Sequence, residues 1–310
     1  LEIGGAIGIP LYLSQALGAS MYIIGFTEGW LAIFPQHDPF QVASAVLLML
    51  LTLSLISAKA AMKVQYIIMF LIVSSLISFF MGKGDGATEI SLWGGSEAAP
   101  FWTVFAIFFP AVTGIEAGAA MSGDLKDPKR SLSVGLLSSI AISFVVYVAL
   151  AFWMDYTISA AALRSDYTIM ITVARWEWIV VAALLGATLS SALGSIIGGP
   201  RTLMALGQHR VVPLGRFLAQ QSKNGEPRIA ILTTGVIIEL GLLLGDLNTI
   251  APLLTMFFLI TYGTINLVVF IEKKIGITSY RPSFDIPLII PLIGTLWCGT
   301  AMFLINPLFG

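Results

Sequence analysis

Long apolar runs alternate with short polar connectors along almost the whole chain. Nine runs are long and apolar enough to cross a bilayer as helix, at about 20 residues each. They are Gly5–Phe34, Pro39–Ser57, Val64–Met81, Phe101–Ser122, Leu132–Met154, Trp176–Ile197, Ile229–Leu244, Ile250–Ile271 and Ile286–Ile305. Between them, Gly82–Pro100 is Gly-rich, Asp124–Arg130 is short and charged, Asp155–Arg175 is mixed, and Arg201–Arg228 is the longest polar stretch. No soluble domain is expected. The pattern predicts an all-α polytopic membrane protein, with residues 1–310 forming a single transmembrane domain.

Composition agrees: 57% of residues are hydrophobic and 11% charged, whereas soluble domains carry about 25% charged residues. Cationic residues set the orientation. Lys59, Lys63, Lys126, Lys129, Arg130, Arg201, Arg210, Arg216, Lys223, Arg228, Lys273, Lys274 and Arg281 fall on one side, against Lys83, Arg164 and Arg175 on the other. The positive-inside rule makes the first side cytoplasmic, with Leu1 inside and Gly310 outside. Trp30, Trp93, Trp102, Trp176 and Trp178 lie at span borders, where tryptophan anchors to the interface. The lone Cys298 excludes an internal disulfide framework. The chain opens at Leu1 inside an apolar segment, without a basic n-region or cleavage site, which reads as a piece of a longer protein. The net charge of −1 hides this positional asymmetry; the lipid bilayer is the expected partner, and no nucleic acid is expected.

One span is unlike the rest. In Phe109-Pro110-Ala111-Val112-Thr113-Gly114-Ile115-Glu116-Ala117-Gly118, proline removes a backbone donor, and Thr-Gly with a carboxylate is poor membrane-helix material. Non-helical backbone at membrane depth persists only where protein buries it or a cavity solvates it. A break here ends one half-helix and starts another. Amides at the new start suit an anion, and carbonyls freed by the break suit a cation. The alternative is a proline kink packed through Gly114 and Gly118. Thr113 and Glu116 add polarity that a kink does not need, which favours a site.

Three other places carry polarity within spans. Ala187, Ser190 and Ser191 share a helical face at i, i+3 and i+4, offering a carbonyl and two hydroxyls to a small hard cation. The same serines could instead bond their own i−4 carbonyls or pack helices. Tyr22 and Tyr262 lie away from the interfaces, and each hydroxyl needs a partner, ion or carbonyl; by themselves both read as structural. His37 and His209 fall in connectors, Glu28 and Glu239 near span borders, and Gly82–Gly86 lacks phosphate-loop spacing. Clustered His, Asp or Glu at membrane depth is missing, so neither an enzyme nor a bound cofactor is expected.

Several blocks resemble the cation–chloride cotransporter family of the amino acid–polyamine–organocation superfamily. They are residues 108–115 and 122–128, Met21-Tyr22-Ile23-Ile24-Gly25-Phe26, Ala187–Leu193, Asn248–Pro252, Tyr262 with Ile265 and Asn266, and Tyr280–Phe284. The resemblance implies a LeuT-like fold of five-plus-five inverted repeats with two further helices, of which this chain covers helices three to eleven. The opening two helices, the last helix and a cytoplasmic domain would then lie outside it, leaving each ion site half-built and this piece inactive by itself. The implied function is secondary active cotransport of Na+, K+ and Cl−, the transported ions being substrates and not cofactors. Position by position, Tyr22, Pro110 and Thr113 match potassium ligands. Gly114, Ile115 and Glu116 (through their amides) and the Tyr262 hydroxyl match a chloride site. Ala187, Ser190 and Ser191 match the sodium site, whose serine pair favours sodium coupling. Glu116 departs from the pattern, because the cotransporters carry an apolar residue there and an ionised carboxylate repels an anion. An acid at this break is familiar among amino acid permeases of the superfamily, so a proton- or sodium-coupled amino acid permease is the alternative. The protein is expected in a plasma or bacterial inner membrane, with a homodimer left open.

Overall fold

The computed structural model describes residues 2–56, 58–84, 99–114, 118, 127–166, 168–222, 225–276 and 285–306. Every regular element among them is helical: α1 (Glu2–Leu31), α2 (Pro39–Ile56), α3 (Ala58–Phe80), α4 (Phe101–Phe108) running into a 3-10 turn (Phe109–Val112), α5 (Pro128–Thr157), α6 (Ala160–Ser165), α7 (Ile169–Val173), α8 (Glu177–Gln208), α9 (Gly215–Leu218), α10 (Arg228–Leu242), α11 (Leu247–Ile275) and α12 (Ile289–Ile305). Each of the nine segments expected from hydropathy carries helix. By length and composition, four helices can cross a membrane: Gly5–Leu31, Arg130–Thr157, Glu177–Gln208 and Leu247–Ile275. Others are apolar but shorter; α10 has 15 residues and α12 has 17, about 22 and 26 Å at 1.5 Å per residue. α8 runs eleven residues beyond the expected end at Ile197, passing through Pro200 to Gln208.

The apolar interior lies where α1, α2, α8 and α10 meet. Ala16, Ala19, Ile23 and Ile24 of α1 pack against Leu47 and Leu50 of α2, Ala192 and Ile196 of α8, and Ile238 and Leu242 of α10. Small residues let these helices approach closely, as helix association in lipid requires. A methyl group placed at Gly241 would lie 2.3 Å from Ser20 Oγ. At that crossing Ser20 donates to the Ile238 carbonyl at 3.0 Å, and two turns away Tyr12 and Thr234 share a buried 3.2 Å hydrogen bond. α11 lies against α1 on one side and α12 on the other, and α3 lies against α8.

Helix ends follow local chemistry. Asp246 caps α11 by accepting from the Thr249 amide at 3.0 Å, and Gly276 ends that helix in the left-handed region. Asp127 caps α5 through the Arg130 amide. In contrast to the packed block, none of the described residues of α5 is buried. Its exposed Val134, Leu137, Ile142, Phe144 and Val145 form a surface suited to lipid and not to water.

Candidate ion site at the broken helix

The expected break is present. α4 ends at Phe108, the chain tightens into the 3-10 turn Phe109–Val112, and Thr113 is extended. Gly114 follows at φ +95°, a conformation that L side chains rarely adopt. Ile115 and Glu116, two of the expected chloride-site positions, lie outside the described residues.

Proline at 110 leaves the carbonyl four residues earlier, that of Ala106, without its helical donor. Thr255 of α11 replaces it: its hydroxyl donates to Ala106 O at 2.6 Å, and both residues are buried. The Pro110 carbonyl accepts from the Thr113 hydroxyl at 2.7 Å and the Thr113 amide at 3.2 Å. The Ala111 carbonyl accepts from Tyr147 of α5 at 2.7 Å. The break is therefore braced from α11 on one side and α5 on the other. Because the Thr113 hydroxyl spends its proton on Pro110, its lone pairs are left for another partner.

One cavity of about 380 Å³ gathers five of the expected ligands from three remote parts of the chain: Tyr22 of α1, Thr113 and Gly114 of the break, and Ser190 and Ser191 of α8. A methyl group at Gly114 would sit 3.6 Å from the Tyr22 hydroxyl, so the break and the tyrosine are neighbours. Among the described residues, no charged side chain lines this cavity. Ser190 and Ser191 make no hydrogen bond among the described residues, whereas Thr188 on the same helix turns back to Leu184 at 2.8 Å. The self-bonded arrangement that would explain the serines as packing residues is not adopted.

The other expected ligands lie nearby without lining the cavity. Pro110 is buried, and Ala187 lies on α8 one turn before Ser190 and Ser191. The Tyr262 ring stacks on Phe258, which does line the cavity, and meets Phe109 edge-on at 6.4 Å. Among the weaker candidates, Glu239 accepts from Ser44 at 2.6 Å, His37 accepts from the Trp30 indole at 2.9 Å, and Glu28 is exposed.

Sequence reasoning missed Thr255 and Tyr147. The signal was available, because a proline within a span orphans one identifiable carbonyl that some in-span hydroxyl must satisfy. Gln15, Gln65 and Ser195 also line the cavity, and sequence reasoning did not single them out.

The family model described as amino acid permease matches residues 1–309. The chain belongs to the amino acid permease family. Within it, the chain is similar to members of solute carrier family 12, the group to which its cation–chloride cotransporter motifs point. Member 8 from Mus musculus is 32% identical over 279 residues, covering 84% of this chain and 40% of that protein. Member 9 from Danio rerio is 28% identical over 364 residues, covering 99% and 40%. Member 1 from Homo sapiens is 28% identical over 370 residues, covering 98% and 34%. The chain thus spans no more than 40% of the length of these relatives. It is a multi-pass integral membrane protein of a transporter family.

Proposed function

We propose that this chain supplies most of the membrane domain of a secondary active cotransporter that moves Na+, K+ and Cl− by alternating access. The observation that carries the reading is one cavity, with no charged wall among the described residues, in which Tyr22, Thr113, Gly114, Ser190 and Ser191 converge beside a broken helix. Potassium would sit among the Tyr22 hydroxyl, the Thr113 hydroxyl and the Pro110 carbonyl. Chloride would take the amides from Gly114 onward, with the Tyr262 hydroxyl. Sodium would take the Ala187 carbonyl with Ser190 and Ser191.

Coupling follows from electrostatics. In a cavity with no charged wall among the described residues, a cation or anion alone is costly to desolvate. Opposite ions about 6 Å apart, at an effective dielectric of 20, attract by about 3 kcal/mol. Each ion therefore raises the affinity for the other, and reciprocally.

The packing supports a five-plus-five inverted repeat over nine spans. In that register α1 and α2 are helices three and four of one repeat, and α8 and α10 are their counterparts in the next. The packed block consists of these two pairs, with α1 touching α10 as α2 touches α8. That block is a ready scaffold, and the break with exposed α5 is the part suited to move.

The family description favours a second reading, an amino acid permease coupled to protons or sodium, with Glu116 as the coupling acid. Rubidium uptake by cells expressing the full-length protein separates the two. The cotransporter reading expects uptake that needs external sodium and chloride. Uptake indifferent to both, or amino acid uptake lost in Glu116→Gln without chloride dependence, contradicts it.

A further inference from the structure

The cavity extends past the residues that the family motifs assign to ions. On α1, Gln15, Gly18 and Tyr22 share one face at spacings of three and four, which sets Gln15 two turns, about 10 Å, from Tyr22 toward the helix start. On α8, Ser195 follows Ser191 by one turn in the same direction through the cavity. The two helices meet at Gly18, where an added methyl group would touch Tyr22 Cε2 at 3.8 Å and Ser195 Oγ at 3.9 Å. A polar strip therefore leads from the tyrosine and the serine pair down to Gln15. By the distribution of basic residues, that end faces the cytoplasm.

Gln15 is 4% exposed, and a buried amide is expected to satisfy both its ends. Its Oε1 accepts from Thr202 at 3.5 Å. Its Nε2, with two N–H donors, has no partner, and is the one buried side-chain polar atom so placed among the described residues. The Ser195 hydroxyl makes no hydrogen bond among the described residues, leaving a further donor on the same strip. Ser14 also lines the cavity, but its proton is already given to the Leu11 carbonyl at 2.8 Å, so it offers an anion nothing.

We infer that Gln15 and Ser195 form an inner anion station on the cytoplasmic side of the ion cavity, taking chloride by neutral N–H and O–H donors. The inference rests on the reading of the protein as an anion-coupled cotransporter. With no charged wall among the described residues, an anion there depends on a cation bound near Tyr22 and Thr113 for its countercharge, so potassium tightens chloride and chloride tightens potassium. An amide can turn to present its oxygen instead, which would suit a cation. Gln15→Glu separates these cases because an ionised carboxylate only accepts.

The test uses full-length protein purified in detergent, with thermal unfolding followed as chloride is replaced by gluconate at fixed sodium and potassium. Chloride is expected to stabilise the wild type. Gln15→Leu should weaken the apparent chloride affinity about tenfold and Gln15→Glu at least as much, as loss of one buried donor interaction implies. Stabilisation by sodium should stay as in the wild type. Should Gln15→Leu fail to fold, Ser195→Ala carries the test, with a severalfold weakening expected. Unchanged chloride affinity in the folded variants, or a gain of potassium stabilisation in Gln15→Glu, overturns the station while leaving the cotransporter reading intact. A wild type stabilised by sodium but indifferent to chloride overturns both the station and the chloride limb of that reading.

Discussion

Thr255→Val removes one hydroxyl and little else. The substitution keeps the branched shape, so the packing of a residue with no exposed surface is preserved. What it takes away is the donor to the Ala106 carbonyl, 2.6 Å distant. That carbonyl has no replacement, because the helical donor would be residue 110, and proline carries no N–H. Leaving a buried carbonyl unpaired costs about 1–3 kcal/mol, so a central expectation is a loss of about 2 kcal/mol. The same loss should appear locally, as faster amide hydrogen exchange at Phe109, Ala111, Val112 and Thr113. Thr255→Ser keeps the hydroxyl and should leave exchange at the break near wild type, although it removes a buried methyl. A double-mutant cycle isolates the cause. Pro110→Ala restores an N–H directed toward Ala106, so in that background Thr255→Val should cost at least 1 kcal/mol less than alone, a coupling of the size found between contacting residues. Additive effects in the cycle, with unchanged exchange at the break, would refute the account of Thr255 as a substitute helical donor.

Gly241→Ala should loosen α1 from α10, since the new methyl would fall 2.3 Å from Ser20 Oγ; overpacking of this kind costs about 1–3 kcal/mol, readable as a lower unfolding temperature. Gly114→Ala should destabilise the break by about 1–2 kcal/mol, because its φ of +95° strains any L side chain; wild-type stability would mean that the break relaxes freely. Hydrogen bonds from the Thr249 hydroxyl and amide hold the Asp246 carboxyl below the usual carboxylate range. A depressed folded value contributes stability above the unfolded value, near 3.9, which is lost as pH falls through the lower folded one. Exchange at the first turn of α11 should therefore rise on acidification below about pH 4, and Asp246→Ala should show fast exchange at every pH.

Much of the fold was legible because hydropathy in a membrane protein is nearly binary. The nine apolar runs each carry helix, and the unusual Pro110–Gly118 stretch does break its span. Boundaries were less legible. The end of α8 was placed at Ile197, yet the helix continues to Gln208 because Pro200 sits on its buried face and the following residues pack against α9. The cavity was readable in outline: Tyr22, Thr113, Gly114, Ser190 and Ser191 come from three separated motifs and meet. Family motifs brought them together; helical spacing by itself left the tyrosines structural and the serines open. Thr255, Tyr147 and Gln15 were not picked out, since nothing in the local sequence sets any of them apart from the other polar residues on its helix. Their roles come from partners 149, 36 and 187 positions away, and no local pattern encodes such pairings.

The most direct test of the central claim is the sodium dependence of rubidium uptake by the full-length protein, compared with a Ser190→Ala, Ser191→Ala double variant. If the cavity couples sodium to potassium through that serine pair, the wild type should take up rubidium in proportion to saturable external sodium. The variant should need at least tenfold more sodium for half-maximal uptake, as loss of two hydroxyl ligands at about 1 kcal/mol each implies. Identical sodium curves for the two proteins, or rubidium uptake that ignores sodium altogether, would contradict the account.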